Sequence, residues 1–511
     1  MRGPHNIWRL VRTGATFERT GAMGQALELL SVPPGLRVAA RILGWPFKWL
    51  GLKGDPSQPP VVRAITALGP AYIKFGQLMS TRPDVVGTDM ARELRILQDK
   101  LPPFPEEQAR AVIEAEIGRP IDEIYSEFEA PIAAASIAQV HPAELAENGE
   151  RVAVKVLRPG IERAFRKDID AFYFAASLVE FLSPATRRLK PSAVIAHFDA
   201  TCQGELDLRL EASAASEYFD NTRGDDGFEV PRIYWDSSAK SVLTMEWVDG
   251  ISLGDLDALH HSNADLPDLG RRLLTVFLKH ALRDGFFHAD LHQGNLKLGP
   301  DGELIALDFG IMGRLDEYTR RVYAGILMGF IRRDYHRVAE LHFEAGYVPA
   351  DRDVDEFAQA LRSVGEPIFG QDASQISMAR LLSYLFDVTE RFGMETRLEL
   401  ILLQRTMVVV EGVSRYLDPK LNIWDVAKPV VEDYIRNYLG PQAVIRDLSR
   451  TVQALSRFGP QLPQIVENLL EQGLEKSDPP TVRRFGRRRA ALWALAGAAL
   501  ASLGWGLGLL L

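Results

Sequence analysis

The chain has 511 residues, 46% of them hydrophobic and 25% charged, which is enough for two or more packed domains. Its formal net charge is −9 and its main body has no long basic run, which argues against a nucleic-acid partner. The single cysteine, Cys202, cannot form an internal disulfide, and no signal-peptide pattern opens the chain, so we expect the soluble body to face the reducing cytoplasm.

Residues 1–60 form an N-terminal region that we describe as amphipathic. In its segment Leu36–Lys53, apolar residues that include three aromatic ones are interspersed with four basic residues. Such a segment suits a membrane surface. It equally suits a helix that packs its apolar side on the protein body, and Pro46 would bend or end any helix there. The sequence leaves this choice open.

Residues 61–128 carry helical hydrophobic patterning, with breaks at Leu68-Gly69-Pro70 and Leu101-Pro102-Pro103, and predict a compact helical extension. Lys74 and Gln77 are three residues apart and would share one helix face. Gly76 between them would permit close approach of a neighbouring element.

Residues 129–250 change to short β-type runs. The runs are Val152–Val156, Phe228–Trp235 and Ser241–Val248, and a long helical stretch from Ile161 to Tyr218 separates the first run from the others. This order predicts a small mixed lobe with inserted helices.

An alanine-rich segment near the start of this lobe has the spacing Gly-x-Gly-x-x-Gly-x-Val of the loop that covers the phosphates in protein kinases, with each glycine replaced by alanine. The added Cβ atoms restrict the backbone and hinder close approach of its amides to phosphate, so we expect weaker or differently shaped binding. The candidate nucleotide-binding residues in this segment are Ala133, Ala135, Ser136, Ala138 and Val140.

Lys155 follows Val152-Ala-Val and matches the strand lysine that contacts the α- and β-phosphates in kinases. Alone, it would read as a charge at a strand edge; its place ahead of a kinase-type catalytic loop favours the phosphate role. The run ending in Glu246-Trp-Val248 resembles the kinase hinge, whose backbone meets adenine. Glu246 and Val248 are therefore candidate nucleotide-binding residues.

The strongest signal is His288-Ala-Asp290-Leu-His-Gln-Gly-Asn295, followed after an apolar run by Asp308-Phe-Gly. This reproduces the order and spacing of the kinase catalytic loop and metal-binding motif. Asp290 is the candidate that accepts or orients a hydroxyl proton, and Asn295 and Asp308 are the candidate Mg²⁺ ligands. The predicted cofactors are ATP and Mg²⁺.

A predominantly helical large lobe is predicted for residues 251–475, with a strand at Leu304–Leu307, and a basic linker for 476–489. The whole is thus predicted to be an α+β, protein-kinase-like bilobal fold with a helical N-terminal extension and a C-terminal transmembrane helix.

The predicted transmembrane helix is Ala490–Leu511, which contains no charged residue. As a helix it would reach roughly 33 Å, close to the hydrocarbon thickness of about 30 Å. Five arginines between Arg483 and Arg489 precede it and place that end on the cytoplasmic side. A buried Ala/Gly-rich helix, or one that pairs with another chain, is the alternative.

Several motifs together resemble the UbiB family of atypical kinase-like proteins over nearly the whole chain. They are Ala133-Ala-Ala-Ser-Ile-Ala-Gln-Val-His141, Lys74-Phe-Gly-Gln77 and Glu205-Leu-Asp207. The resemblance implies a bacterial inner-membrane protein that supports ubiquinone biosynthesis as an ATPase or atypical kinase.

The resemblance also implies that Lys74 and Gln77 are regulatory, blocking protein substrates and meeting Glu205 and Asp207. The family's catalytic loop usually has prolines at the positions of Leu291 and Gln293; no ligand is lost, but the loop loses rigidity.

We expect Glu205, Asp207 and Glu211 to lie on one helix. Asp207 and Glu211, four residues apart, would then share a face from which Glu205 points away. We predict that Glu211 pairs with Lys155, as the corresponding glutamate does in kinases, which makes both residues part of the candidate catalytic set.

The leading hypothesis is therefore a membrane-anchored ATPase that handles lipid or polyprenyl intermediates, with ubiquinone-biosynthesis enzymes as further partners. The alternatives are a phosphotransferase and a nucleotide-binding scaffold without turnover. A ring hydroxylase is disfavoured, because the chain has neither a dinucleotide-binding glycine motif nor a metal cluster suited to O₂ chemistry.

Overall fold

The computed structural model describes residues 5–29, 45–80, 86–94, 96–97, 102–182, 191–369, 388, 391–394 and 398–439. Its contacts divide the chain into two units, Met1–Ile435 and Arg436–Leu511. The second unit contributes only residues 436–439 to the described chain, and all the other described residues belong to the first unit.

Helices dominate the described chain up to residue 124. In order they are α1 (His5–Thr20), α2 (Met23–Leu29), a 3-10 helix (Trp45–Leu50), α3 (Pro60–Leu68), α4 (Pro70–Ser80), α5 (Thr88–Leu94), α6 (Glu106–Ile117) and α7 (Ile121–Ile124). Gly69, with a φ of 110°, ends α3 and Pro70 begins α4, as the sequence break predicts. A Cβ on Gly76 would lie 2.4 Å from Leu97 Cδ1, so a larger residue here would displace the Leu97 side chain.

The helical extension ends earlier than the predicted residue 128. Residues Tyr125–Phe128 form strand β1 and pair antiparallel with the strand at Ala138–Leu145. Tyr125 and Phe128, both on this strand, are buried. Pairing with a distant strand decides their conformation, and local helical patterning does not predict such pairing.

The small lobe is an antiparallel sheet. Besides β1 its strands are β2 (Ala133–Ala134), β3 (Ala138–Leu145), β4 (Arg151–Leu157) and β6 (Val242–Glu246). The strands lie in the order β1-β3-β4-β6, and β2 pairs with β3. Lys155 on β4 lies opposite Val140 on β3 and Leu243 on β6. Strands β3 and β6 therefore flank Lys155 on both sides.

The helical stretch predicted between β4 and β6 is three helices. They are α8 (Ile161–Leu182), α9 (Pro191–Glu205) and α10 (Leu208–Thr222). Asp207 lies before α10 as its N-cap and accepts a hydrogen bond from the Arg209 amide. The expectation that Glu205, Asp207 and Glu211 share one helix is therefore wrong, because Glu205 ends α9 and Asp207 caps the start of a new helix, α10.

The large lobe begins at residue 251 and is mainly helical within the described residues. Its helices are α11 (Leu256–His261), α12 (Leu266–Lys279), a π-helical turn (His280–Asp284), α13 (Glu317–Arg332), α14 (Tyr335–Glu344), α15 (Val354–Phe369), α16 (Leu398–Leu417), α17 (Ile423–Tyr434) and a second π-helical turn (Ile435–Leu439). Short 3-10 helices are found at Trp235–Ser237 and Gln293–Asn295.

Short strands support the loops of this lobe. They are β5 (Phe228–Glu229), β7 (Ile251–Ser252), β8 (Phe286–His288), β9 (Leu296–Leu298), β10 (Leu304–Ala306) and β11 (Met312–Arg314). β5 pairs with β10 and not with the small-lobe sheet. Of the strand predicted at Phe228–Trp235, only Phe228–Glu229 forms a strand, and it pairs in the large lobe. Ile233 makes a single antiparallel bridge to Met245 on β6 of the small lobe.

The predicted linker 476–489 and membrane span 490–511 lie outside the described residues, as does the end of the predicted large lobe. Within the described ranges, no helix has both the length and the apolar character needed to cross a bilayer.

Candidate active site

Lys155 and Glu211 form the central contact of the site. Lys155 Nζ donates to both oxygens of Glu211, at 2.7 and 2.9 Å, and lies 3.5 Å from Asp308 Oδ1. Burial opposes the charged form of Lys155, but the two carboxylates outweigh it and raise its pKa above the ordinary value. The contact predicted between Lys155 and Glu211 is present.

The two carboxylates differ in environment. The Glu211 side chain is only 8% exposed and that of Asp308 is 53% exposed. Burial raises the pKa of Glu211, with Lys155 opposing the shift, whereas the charge of Lys155 lowers the pKa of Asp308. Glu211 therefore holds Lys155, and Asp308 is the carboxylate open to a ligand.

Asp308 has a φ of 58°, a left-handed conformation that aspartate tolerates better than most residues. Its Oδ1 accepts a hydrogen bond from the Gly310 amide at 3.3 Å. Phe309 beside it is buried, with its ring centroid 5.6 Å from His288 and 6.1 Å from Tyr218. Burial of this neighbour fixes the backbone that carries Asp308.

The candidate catalytic loop is held by hydrogen bonds between side chains and backbone groups. His288 is fully buried; its Nε2 lies 3.0 Å from Leu307 O, and its Nδ1 accepts from the Asp290 amide at 3.1 Å. Burial lowers the pKa of His288, so its neutral form, with the proton on Nε2, fits both bonds. From α16, Thr406 Oγ1 donates to Ala289 O at 3.1 Å.

Asp290 and Asn295 lie at opposite ends of this loop and are joined across it. Asn295 Nδ2 donates to Asp290 O at 3.1 Å, and this bond does not use Asn295 Oδ1, the candidate atom for binding a cation. The Leu307 amide donates to Asn295 O at 2.8 Å, so the residue before Asp308 is tied to Asn295. Leu291, at a family proline position, is buried in the core.

These oxygens fit a magnesium site shared with phosphate. Mg²⁺ takes hard oxygen ligands and usually keeps only one or two protein carboxylates when a nucleotide supplies the rest. Within the described ranges, no group of three His, Cys, Asp or Glu residues forms a protein cage for a metal. The donors available are Asp308 and Asn295.

The alanine-rich loop makes a tight turn at the edge of the sheet. The Ala135 amide donates to Ala138 O at 2.8 Å, and none of residues 133–138 has a positive φ, so the turn needs no glycine. Ser136 is fully buried, and its Oγ has no hydrogen-bond partner among the described residues. A buried orphan hydroxyl in this loop suits a phosphate oxygen.

Two residues outside the predicted set hold this loop in place. Arg158 donates to Ala135 O through Nε and Nη2, at 3.2 and 3.0 Å, and to Pro102 O at 2.7 Å. Gln139 exchanges hydrogen bonds with the Phe104 backbone. Gln139 stands inside the alanine-rich motif, but the positioning role of Arg158 has no signal of its own in the sequence.

The two hinge candidates, Glu246 and Val248, already form hydrogen bonds with other residues of the chain. Glu246 ends β6, its amide donates to Arg232 O at 2.8 Å, and its carboxylate accepts from the Arg232 amide. Val248 O accepts from Lys297 Nζ at 2.8 Å. The carboxylate of Glu246 is thus directed to Arg232, and adenine would have to use the remaining backbone groups.

Of the four residues implied to be regulatory, the structure joins two. Lys74 Nζ lies 3.2 Å from Glu205 Oε2, and the charge of Lys74 contributes to lowering the pKa of Asp308, after the larger effect of Lys155. Gln77 Nε2 contacts Leu97 O at 3.4 Å. Asp207 pairs with Arg209 at 2.6 Å, because it caps α10.

Comparison with known proteins agrees with this geometry. The sequence matches the ABC1 atypical kinase-like domain over residues 96–342 and the UbiB helical domain over residues 361–422. A protein of Marinobacter nauticus named "Probable protein kinase UbiB" is 42% identical over 414 residues, which are 80% of this chain and 76% of that protein.

One similar solved structure is described as the complex of Rv3197 with erythromycin from Mycobacterium tuberculosis. It aligns with a TM-score of 0.51 and 25% identity, covering 70% of this chain and 90% of that chain. Lys155, Glu211, Asp290 and Asp308 all lie within the kinase-like match at 96–342.

Proposed function

Because the chain belongs to the UbiB family of ABC1 atypical kinase-like proteins, we propose that it is a membrane-associated, Mg²⁺-dependent ATPase that supports ubiquinone biosynthesis. The observation that carries the ATP chemistry is the position of Lys155 Nζ, 2.7 Å from Glu211 and 3.5 Å from Asp308. Kinase-like enzymes use this lysine, glutamate and aspartate set to hold a nucleoside triphosphate.

Each residue has a separate role in the proposed reaction. Lys155, positioned by Glu211, neutralises phosphate oxygens, and Asn295 and Asp308 hold Mg²⁺. When bound, Mg²⁺ supplies charge neutralisation on the transferring phosphoryl group. Asp290 orients the attacking hydroxyl of water or of an acceptor.

The contact between Lys74 and Glu205 supports hydrolysis over phosphorylation of a protein. Lys74 on α4 lies close enough to the site for its charge to affect Asp308, and its ion pair with Glu205 fastens α4 to the end of α9. A helix fastened there restricts access by a folded protein substrate. On this proposal, water and small molecules can still reach the site.

The membrane part of the proposal rests on the sequence. The apolar segment Ala490–Leu511 follows an arginine-rich stretch, the pattern of a cytoplasmic body anchored by one span. A protein so anchored is suited to act on hydrophobic intermediates at the bilayer. We propose lipid or polyprenyl precursors of ubiquinone as the molecules that it handles, alongside other enzymes of that synthesis.

The test is phosphate release from ATP by the full chain in lipid vesicles with Mg²⁺, compared with Asp308→Asn. We expect the rate to fall by about a hundredfold or more, because the substitution removes a charged ligand of the metal. Asp301→Asn, an exposed aspartate in the turn between β9 and β10, is the matched control. Equal rates for wild type and Asp308→Asn would overturn the proposal, whereas tight ATP binding without turnover would identify a scaffold.

A second candidate is phosphotransfer to an acceptor. It is favoured by the retained Asp290, joined to Asn295 across the loop, and by the name of the Marinobacter relative. Radiolabelled γ-phosphate on a protein or lipid acceptor, absent with Asp290→Asn, would support this candidate. Label appearing only in inorganic phosphate supports hydrolysis.

A further inference from the structure

A cavity of about 570 Å³ lies away from the active site, between the N-terminal helices and α8. Its charged lining comes from Arg9 and Arg12 on α1 and from Lys167 and Asp168 on α8. Arg9 forms an ion pair with Asp168. Three cations therefore share one carboxylate, and the cavity has an excess of positive charge.

The cavity also offers neutral hydrogen-bonding groups. The hydroxyls of Thr13 and Tyr72 lie 2.7 Å apart on its wall, and burial raises the pKa of Tyr72 to about 12. Tyr72 therefore stays protonated at neutral pH. Cationic side chains with hydroxyl donors are the chemistry that binds a phosphate group.

Exposed apolar side chains lie beside the cavity. Trp8, which is 57% exposed, lines it, and its neighbour Ile7 is 54% exposed. The 3-10 helix carries the exposed Phe47 and Trp49, and it is fixed to α1 because Arg19 donates to Trp49 O and Gly51 O. Aromatic side chains next to basic ones are typical of surfaces that lie in a membrane interface.

From these observations we propose that the cavity binds the phosphate headgroup of an anionic phospholipid while Trp8 and its apolar neighbours enter the bilayer interface. Arg12 and Lys167 supply the attraction, and the pair formed by Arg9 and Asp168 holds α1 against α8. The lining of the cavity includes none of the candidate nucleotide-binding or metal-binding residues. It adds a second, headgroup-specific contact to the membrane association in the proposed function.

The test is hydrogen exchange of the full chain in bilayer discs of phosphatidylcholine alone or mixed with phosphatidylglycerol. We expect amides of α1 and of the 3-10 helix to exchange several-fold more slowly with phosphatidylglycerol present. Arg12→Gln with Lys167→Gln should abolish that difference, because each cation removed weakens attraction to an anionic surface about fivefold. Both residues are exposed, so the fold should persist.

Arg352→Gln with Lys420→Gln is the matched control, since it removes two exposed charges from the large lobe; it should retain the protection. Equal exchange in the two lipid mixtures would overturn the proposal. So would equal protection by inorganic phosphate in phosphatidylcholine discs, which would identify a site for a soluble anion. ATPase activity enters neither readout, so loss of the proposed enzyme function would leave this test intact.

Discussion

At the residue scale, Lys155 is shared between a buried carboxylate and an exposed one. Its contact with Glu211 is short and doubly hydrogen-bonded, and that with Asp308 is longer at 3.5 Å. Because Asp308 is half exposed, a nucleotide with Mg²⁺ can displace it from Lys155 at little cost, while Glu211 keeps the lysine in place.

Glu211→Gln should therefore reduce the kcat/KM for ATP by about a hundredfold, since Lys155 loses the charge that positions it against the phosphates. The measurement is steady-state phosphate release over a range of ATP concentrations. Glu217→Gln is the control: it lies on the same helix and pairs at the surface with Arg314. Unchanged kcat/KM for Glu211→Gln would show that the pair has no part in ATP turnover.

Motif spacing was sufficient to predict the contact between Lys155 and Glu211, which the structure contains. Asp308 lies 3.5 Å from Lys155, and the catalytic roles of these residues stay predictions. The prediction placed Asp207 inside a helix, whereas it is the N-cap of α10. An aspartate can occupy either position, so the residue type alone does not decide between them. Gly204 and Asp207 are the residue types that end one helix and begin the next, and the prediction did not use them.

At the element scale, the alanine-rich loop depends on neighbours far away in sequence. Arg158, at the end of β4, joins Ala135 O of the loop to Pro102 O of the segment that enters α6. Gln139 joins the adjacent strand to Phe104 in that segment. The loop is thus fixed by the two hydrogen bonds that Arg158 donates to the Ala135 carbonyl.

Arg158→Ala should raise the KM for ATP about tenfold and change kcat much less, because it frees the loop that we propose binds phosphate and does not touch Asp290 or Asp308. The measurement is again steady-state phosphate release. Arg158→Lys should recover only part of the affinity, since one ammonium cannot reproduce the planar fork of the guanidinium. Arg166→Ala, an exposed arginine on α8, is the control, and a KM unchanged in Arg158→Ala would refute the role.

At the scale of the whole first unit, Asp225 joins the helix that carries Glu211 to the large lobe. It follows α10 and accepts hydrogen bonds from Lys279, His280 and Arg283. His280 in turn lies 2.6 Å from the Tyr218 hydroxyl on α10. Burial would raise the pKa of Asp225, but these three partners outweigh it and hold the pKa well below its ordinary value.

Asp225→Asn should lower the free energy of unfolding by about 2 to 3 kcal/mol at pH 7, because it leaves the surrounding cations without their carboxylate. A lowered pKa gives stability that is complete above the ordinary aspartate pKa of about 4 and is lost as the pH falls below it. The difference between wild type and variant should therefore be constant from about pH 8 to 5 and shrink only below about pH 4.

Urea unfolding across this pH range measures the effect, with the exposed neighbour Asp226→Asn as control. A difference that grows as the pH falls from about 7 to 6 would instead assign part of the stabilisation to protonation of His280 beside Asp225.

The sequence alone determined the kinase-like order of strands, lysine, catalytic loop and metal-binding motif. Those features depend on residues close together in the chain, where spacing and local chemistry are sufficient. Only the tertiary structure decided that Tyr125–Phe128 is a strand, that β5 belongs to the large lobe, and that Arg158 holds the loop. These depend on pairing between distant segments, whose free energy comes from burial and hydrogen bonds that no local pattern records.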